Sequence, residues 1–561
     1  MSGSGSEGGR TGPADGSHPA GPSVGVGAAP PPGNAPAGAS STPPAGRRTS
    51  SEKLTSGHMR GASLLLVGRF LSLGLNFVVQ LLIARYLVPE AYGAWAYVLS
   101  LVVLGETVTT LGLDRGVGRF LAVYDEKEDY ARLMGTLVLV AAVVSTLGLT
   151  IVVFVTGARS WLQGTVISDR QVMALLVILV FLAPIQSADN LLGGVLAVFA
   201  SARAIFLRRY VLAPLLKLAV VLLMVLTAQD VEFLATGYVA VGAAGLLLYA
   251  GILWRVLGDR GVRARLHLRT AKIPFREVLG FTIPLLSTDL VYVSMATTDA
   301  LLLQHFWGTV EVAEYRVVQP LANLNLVVYS SFTLLFTPAA SRLFARRDGQ
   351  GVADLYWRTA VWVAVFSFPM LALTTTLAGP VTELLYQPQY AGSAVFLAVV
   401  SVGYYVNAAF GFNGTTLRVY GYVRYTLVTN LAVVVVNVAL YLVLIPPLGA
   451  LGAAIGTAAT LVLHNALKQW GLHRRTPVAV FDRRYVRVYV VIAAAIAVLA
   501  GVQLLLAPPL LAGTALAAVA SLVVLVVNRR LLDVAATFPE LLRVPGARRL
   551  LGVPATARRP A

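Results

Sequence analysis

Arg69, Ser72, Asn76 and Gln80 recur along the first long apolar stretch of the chain. At about 100° per residue on a helix they lie within roughly 80° of one another, one wet face on an otherwise apolar surface. The pattern returns in Arg316, Gln319, Asn323 and Ser330, and again in Thr426, Asn430, Asn437 and Tyr441. A charged side chain at the centre of a bilayer costs on the order of 2.5 to 3.5 kcal/mol, so such residues face protein or water. Three wet faces therefore imply a shared central cavity, to which Lys217 adds a cation. Glu106, Asp189, Asp289 and Asp299 are the acidic groups at comparable depth. They could take up a proton or cation during transport, or serve as counter-ions for Arg69 and Lys217. The plainer alternative for each amide and hydroxyl is hydrogen bonding between neighbouring helices.

Other chemistry is missing. There is no cysteine, which excludes thiolate nucleophiles and thiolate metal sites. No glycine loop ending in Lys-Ser or Lys-Thr is present to cradle phosphates, so the chain is not its own ATPase. The six histidines have no metal-ligand spacing, and no carboxylate pair stands on a long outer loop. Neither an enzyme nor a cofactor is expected.

The elements that position the polar faces follow from composition. With 57% hydrophobic and 12% charged residues, the chain reads as an all-α polytopic membrane protein. Stretches of about 20 apolar residues, helical because lipid offers the backbone no partner, run near 62–84, 91–112, 133–156, 172–196, 209–228 and 233–254. They resume near 279–303, 312–337, 357–378, 392–415, 424–445, 449–467, 486–507 and 510–528, about fourteen crossings in all. If the amino terminus is cytoplasmic, the outer connections hold only Arg85, Arg159 and Arg170, and most of the 44 basic residues fall inside. The formal charge of +18 is then topology, with no nucleic-acid partner and with both termini in the cytoplasm. Residues 1–57, rich in Gly, Pro, Ala and Ser, read as a disordered tail. The remaining divisions are a six-helix lobe at 58–260, a basic linker at 261–278 and a second six-helix lobe at 279–470. A helix pair at 485–530 and a basic tail at 531–561 complete the chain.

A shift of roughly 220 residues lays Arg69 on Asp289, Gly194 on Gly414 and Lys217 on Asn437. It also lays the turn at Arg85 to Tyr92 on that at His305 to Val312. Six spans separate the copies, an even number, so the lobes are parallel repeats and the last two helices are an appendix. Pro184, Pro214, Pro284, Pro320 and Pro369 interrupt spans and supply hinges or free backbone groups. Asn413-Gly-Thr415 matches a glycosylation acceptor, but at a helix end on the inner side the match is accidental.

From about Arg60 to Trp470 the residues resemble the polysaccharide-flippase branch of the multidrug/oligosaccharidyl-lipid/polysaccharide exporter superfamily. The resemblance rests on Arg69-Phe, on Ala84 to Gly93, on Thr298-Asp299 followed by Ala313-Glu-Tyr315, and on Asn413 to Thr457. The last stretch ends in Leu444-Ile-Pro-Pro-Leu-Gly449-Ala-Leu-Gly-Ala-Ala-Ile-Gly-Thr457. It implies a two-lobed, MATE-like fold around a cationic cavity that turns a polyprenyl-pyrophosphate-linked oligosaccharide across a bacterial cytoplasmic membrane by alternating access. On that reading Arg69, Lys217 and Arg316 are candidates for the pyrophosphate. Asn76, Gln80, Gln319, Asn323, Asn430, Asn437 and Tyr441 would line the sugar path. Glu106, Asp189, Asp289 and Asp299 would couple an ion or pair with cations. Partners would be the lipid-linked glycan, membrane lipids, and a glycan polymerase or glycosyltransferases. The first span carries Arg69 where the drug-antiporter branch carries an acid. Alternatives are a peptidoglycan-precursor flippase, an ion-coupled multidrug exporter and, from another class, a membrane glycan-processing enzyme.

Overall fold

The computed structural model describes residues 48–165, 167–199 and 205–532. The chain divides into a unit ending at His58 and a unit running from Met59, and the second holds the membrane-crossing elements. Of the expected amino-terminal tail, residues 1–47 lie outside the described residues, as does the tail from 533, while residues 48–57 are helical rather than irregular.

Every regular element among the described residues is a helix. That is the outcome lipid imposes on a chain whose backbone groups must find partners within their own segment. The first lobe consists of α1 (Arg48–Tyr86), α2 (Pro89–Thr110), α3 (Leu113–Glu126), α4 (Tyr130–Gly157), α5 (Arg170–Leu179), α6 (Leu182–Phe199), α7 (Phe206–Leu226) and α8 (Val231–Asp259). The second holds α9 (Phe275–Phe306), α10 (Thr309–Ala322), α11 (Val327–Ala345), α12 (Gly349–Thr375), α13 (Ala378–Tyr386), α14 (Ala394–Phe410), α15 (Phe412–Val419) and α16 (Val423–Arg475). Two further helices follow, α17 (Val486–Leu506) and α18 (Leu510–Leu532).

Among the described residues, eleven helices are long and apolar enough to cross a membrane, or twelve if Thr309–Thr333 and Leu335–Ala345, bent by 42°, are one span. Pro338 accounts for the bend, because proline removes a backbone donor and crowds the carbonyl four residues before it. The 32-residue α9, about 48 Å long, is also long enough to cross, although it falls outside that count. Another is hidden in α16, whose 53 residues would extend about 80 Å if straight, against a hydrocarbon core of about 30 Å. It folds back on itself at Gly449, where φ is 55° and ψ −132°, a conformation only glycine adopts readily. The side-chain ladder proves the reversal. Tyr441 Oη meets Thr457 Oγ1 at 2.8 Å, and Asn437 Nδ2 donates to Thr460 Oγ1 at 3.0 Å. Further from the turn, Asn430 Oδ1 meets His464 Nε2 at 2.9 Å, and Tyr425 Oη donates to the Leu467 carbonyl at 2.6 Å. The partners lie progressively further from Gly449 on both sides, so α16 is two antiparallel arms. With α9 and the two arms of α16 counted separately, the described residues hold fourteen segments of spanning length, the number of apolar stretches in the sequence.

At the face poor in Lys and Arg, one apolar cluster joins the lobes. It brings Ile83, Ala84, Tyr92 and Trp95 together with Tyr315, Tyr386, Tyr390 and Ile445. Tyr92 meets Tyr390 edge-on with ring centroids 6.3 Å apart. Lipid is as apolar as a leucine side chain, so close van der Waals fit rather than hydrophobic burial must hold such a contact. Gly93 provides it: a Cβ there would collide with the Thr309 carbonyl oxygen. The α17–α18 pair packs on α12 through Val488, Ile492 and Val524 against Trp362, Val365 and Phe368, and turns Leu504, Leu505 and Leu511 outward.

Gly93→Leu should therefore force α2 off α10 and loosen this seal. The chain lacks cysteine, so a single Tyr390→Cys reports the change. A membrane-impermeant thiol reagent should label it several-fold faster in the Gly93→Leu background, and equal rates would refute the close-approach role.

Candidate functional site

Each lobe encloses a polar cavity. The larger, about 400 Å³, lies in the second lobe between α14, α15 and both arms of α16. Asn437, Tyr441, Thr457 and Thr460 line one end, and Lys468 and Arg418 line the other together with Asn413 and Thr415. The wall is braced from behind. Asn413 Nδ2 donates to the Asn465 carbonyl at 3.1 Å and to its Oδ1 at 3.2 Å, and Asn465 Nδ2 donates to Asn407 Oδ1 at 3.0 Å. Asn413, 1% exposed and engaged in this network, is no glycan acceptor. The Asn437 Oδ1 atom has no hydrogen-bond partner among the described residues.

The first-lobe cavity, about 240 Å³, lies between α6, α7 and α8 and is lined by Gln186, Asp189, Arg208, Lys217 and Tyr238 among others. The opening turns of α7, Phe206–Leu212, are π-helical. Arg208 on them is buried, forms an ion pair with Asp189, and lies 3.5 Å from the centroid of Tyr249. Lys217 stands 5.6 Å from the Tyr238 ring centroid. Residues lining the two cavities correspond under a shift of 220 along the chain, which takes Lys217 to Asn437, Gly245 to Asn465 and Leu248 to Lys468.

A third chamber, about 180 Å³, lies where α2, α3 and α6 meet α9, and Glu106, Asp114, Asn190 and Asp289 line it. Asn190 Nδ2 donates to Glu106 Oε1 at 2.6 Å. Among the described residues no group of three or more His, Asp or Glu side chains is arranged to hold a metal ion.

The residues marked by sequence are thus spread over several places. Lys217 and Asp189 share the first-lobe cavity, Asn437 and Tyr441 the second, and Glu106 and Asp289 the chamber between. Asn430 supports the second cavity through His464. Arg316, a candidate for the pyrophosphate, is paired within the protein: its Nη2 donates to Asp299 Oδ1 at 2.5 Å and to the Ala296 carbonyl at 2.9 Å. Gln319 Oε1 accepts from Tyr404 Oη at 3.1 Å, and Asn323, exposed, opens a 3-10 turn after Pro320. In α1, Asn76 donates to the Ser72 carbonyl at 2.7 Å, Gln80 is half-buried and Arg69 is exposed; none of them lines the three cavities. Arg208, Arg418 and Lys468, which the positive-inside pattern assigns to cytoplasmic connections, line the cavities instead.

Removing one member of a buried ion pair leaves an uncompensated charge, at a cost on the order of 3 kcal/mol. Asp299→Asn should accordingly lower the melting temperature of the purified protein, and adding Arg316→Met should restore much of the loss. A double variant as unstable as the single one would show that the pair is not what holds α9 to α10.

The polysaccharide biosynthesis protein family model matches residues 58–344, and the MatE model matches residues 284–443. No curated protein matches the sequence. Among solved structures, the inward-facing conformation of a multidrug resistance MATE family transporter aligns with a TM-score of 0.62 at 16% identity, covering 72% of this chain and 94% of that one. The lipid II flippase MurJ in its inward closed conformation gives 0.63 at 13% identity, covering 86% and 100%. A MOP superfamily transporter from Pyrococcus furiosus gives 0.53 at 15% identity, covering 74% and 95%. These likenesses are of fold, while the first family model takes in just over half of the sequence. The chain belongs to the polysaccharide biosynthesis protein family, and its fold is that of the MATE and MurJ transporters.

Proposed function

We propose that the chain flips a polyprenyl-diphosphate-linked oligosaccharide from the inner to the outer leaflet of a bacterial cytoplasmic membrane, by alternating access, for surface polysaccharide synthesis. The observation that carries this reading is the pair of polar cavities, one in each lobe, closed off at the face poor in Lys and Arg by an apolar cluster to which both lobes contribute. Amides and hydroxyls suit a sugar, and cations suit a diphosphate. Both termini are cytoplasmic in this reading, because the connections rich in Lys and Arg stay inside. The lobes at 58–260 and 279–470 then rock about the basic linker at 261–278, with Lys217 and Arg69 meeting the diphosphate in passage and Gln319, Asn437 and Tyr441 meeting the sugar. The pairing of Arg316 with Asp299 favours a structural role for that cation. Glycosyltransferases and a polymerase would supply and consume the glycan.

Energy must come from a gradient or from the substrate, and the chamber lined by Glu106, Asp114 and Asp289 favours an ion as the drive. Ion binding there would change the fit of α9 against α2 and α3, where the lobes meet.

Depletion of the chain should make lipid-linked oligosaccharide accumulate in the inner leaflet, with re-expression clearing it; unchanged lipid pools would sink the reading. An ion-coupled drug exporter would instead alter resistance without any glycan phenotype, and a glycan-processing enzyme would form product in detergent. Glu106→Gln should slow transport and flatten its response to an imposed cation or proton gradient. A full response from that variant would remove Glu106 from coupling.

A further inference from the structure

The two lobe cavities differ in charge although the repeat relates their walls. In the first lobe Arg208 is neutralised by Asp189, which leaves Lys217 as the net cation. In the second, Lys468 and Arg418 both line the cavity, no carboxylate lines it, and among the described residues neither cation has an acidic partner within ion-pair distance. Two like charges at one end of a cavity repel each other, and an anion between them turns that repulsion into attraction on both sides.

Their supports fix where such an anion would lie. Arg418 donates from Nη2 to Thr415 Oγ1 at 3.2 Å, and it is exposed, so its remaining donors are available at the cavity mouth. The Lys468 ammonium lies over the backbone at Gly414, where a Cβ would come 3.4 Å from Nζ. Lys468 is one of four residues, with Thr457, Thr460 and His464, that fall within about 40° of a single line along the second arm of α16. That line leads from the cations to the neutral end, where Asn437 and Tyr441 face it from the first arm. The cavity is therefore a polarised slot, basic at one end and hydroxyl- and amide-lined at the other. Its volume is within the range of small-ligand sites, roughly 300 to 1,000 Å³.

The geometry points to this second-lobe slot as the anion-holding subsite: it binds a phosphorylated saccharide headgroup, with the phosphates between Lys468 and Arg418 and the first sugar ring along Thr460, Asn437 and Tyr441. The identity of the headgroup as the diphosphate of a lipid-linked saccharide rests on the flippase reading. The anion site itself rests on the two unpaired cations.

The test is binding by the full chain in nanodiscs of neutral phosphatidylcholine, with inorganic pyrophosphate and farnesyl diphosphate as probes. Both should raise the melting temperature. Replacing Lys468 and Arg418 together by Met should weaken binding by about tenfold or more, and Lys468→Arg should keep most of it. Single variants Lys468→Gln and Arg418→Gln give intermediate losses and guard against misfolding of the double variant. Undiminished binding by a folded double variant would overturn the assignment. So would nanodiscs containing phosphatidylglycerol in which the protein is already fully stabilised and diphosphate adds nothing, since the site would then hold bulk anionic lipid. Transport itself is tested separately. If depletion leaves lipid-linked glycan unchanged while diphosphate binding still depends on Lys468, the transport reading fails and the anion site survives; glycan accumulation with binding indifferent to both cations is the reverse.

Discussion

The turn at Gly449 is where the low dielectric of the membrane imposes its strictest demand. A helix that reverses inside or near hydrocarbon strips hydrogen bonds from the backbone around the turn, and each group left unpaired costs several kcal/mol. The chain satisfies two of these groups with side chains from one short stretch. Trp307 Nε1 donates to the Ile445 carbonyl at 2.9 Å, and Glu311 Oε2 accepts from the Ala450 N–H at 2.8 Å. Both supporting side chains stand at the junction of α9 and α10, beside the Gly93–Thr309 contact. The hairpin tip, the joint between lobes and the apolar seal are consequently one construction. The second-lobe cavity hangs from it, because Tyr441, Thr457, Asn437 and Thr460 face one another only if the arms of α16 are antiparallel.

Charge is handled in two ways. Arg316 with Asp299, and Arg208 with Asp189, are cations whose counter-ions travel with them. Such pairs seldom add net stability, but they allow a guanidinium at membrane depth without a ligand. Lys468 and Arg418 have no such arrangement. Carbonyls and hydroxyls brace the slot they line, so its hydrogen bonds hold the wall in place while its charge is left for what enters. The parallel repeat lets one architecture serve both purposes, since a single change of residue type at an equivalent position, Leu248 against Lys468 or Lys217 against Asn437, changes what a cavity can hold.

The spans were legible because hydropathy over about 20 residues is a strong signal and lipid leaves only helices to satisfy it. The correspondence between the two cavities was legible through Lys217 and Asn437, which a shift of 220 residues lays on each other. The site was read only in part, for a physical reason that these residues illustrate. Lys468 and Arg418 follow the apolar stretches near 449–467 and 392–415, where a cation is ordinarily explained by the positive-inside bias. Thr457, Thr460, His464 and Lys468 did form an in-phase stripe of the same kind as the other three, and it carried the missing signal. Arg316 and Asp299 stood 17 positions apart on consecutive helices, a separation from which no pairing can be deduced without the crossing between them. The glycine at 449 was visible as part of a Pro-Pro-Leu-Gly turn, whereas its dependence on Trp307 and Glu311 was not.

Flipping is tested most directly by whether the purified chain moves a saccharide-bearing lipid between leaflets. Proteoliposomes loaded with a polyprenyl-diphosphate-linked saccharide, with the sugar read out by an enzyme that cannot enter, would measure it. About half of the lipid should be modified at once and the protected half should follow on a time scale set by the protein, and only when the protein is present. A protected fraction that persists unchanged in active, correctly inserted protein, under an imposed ion gradient of either direction, would contradict the account.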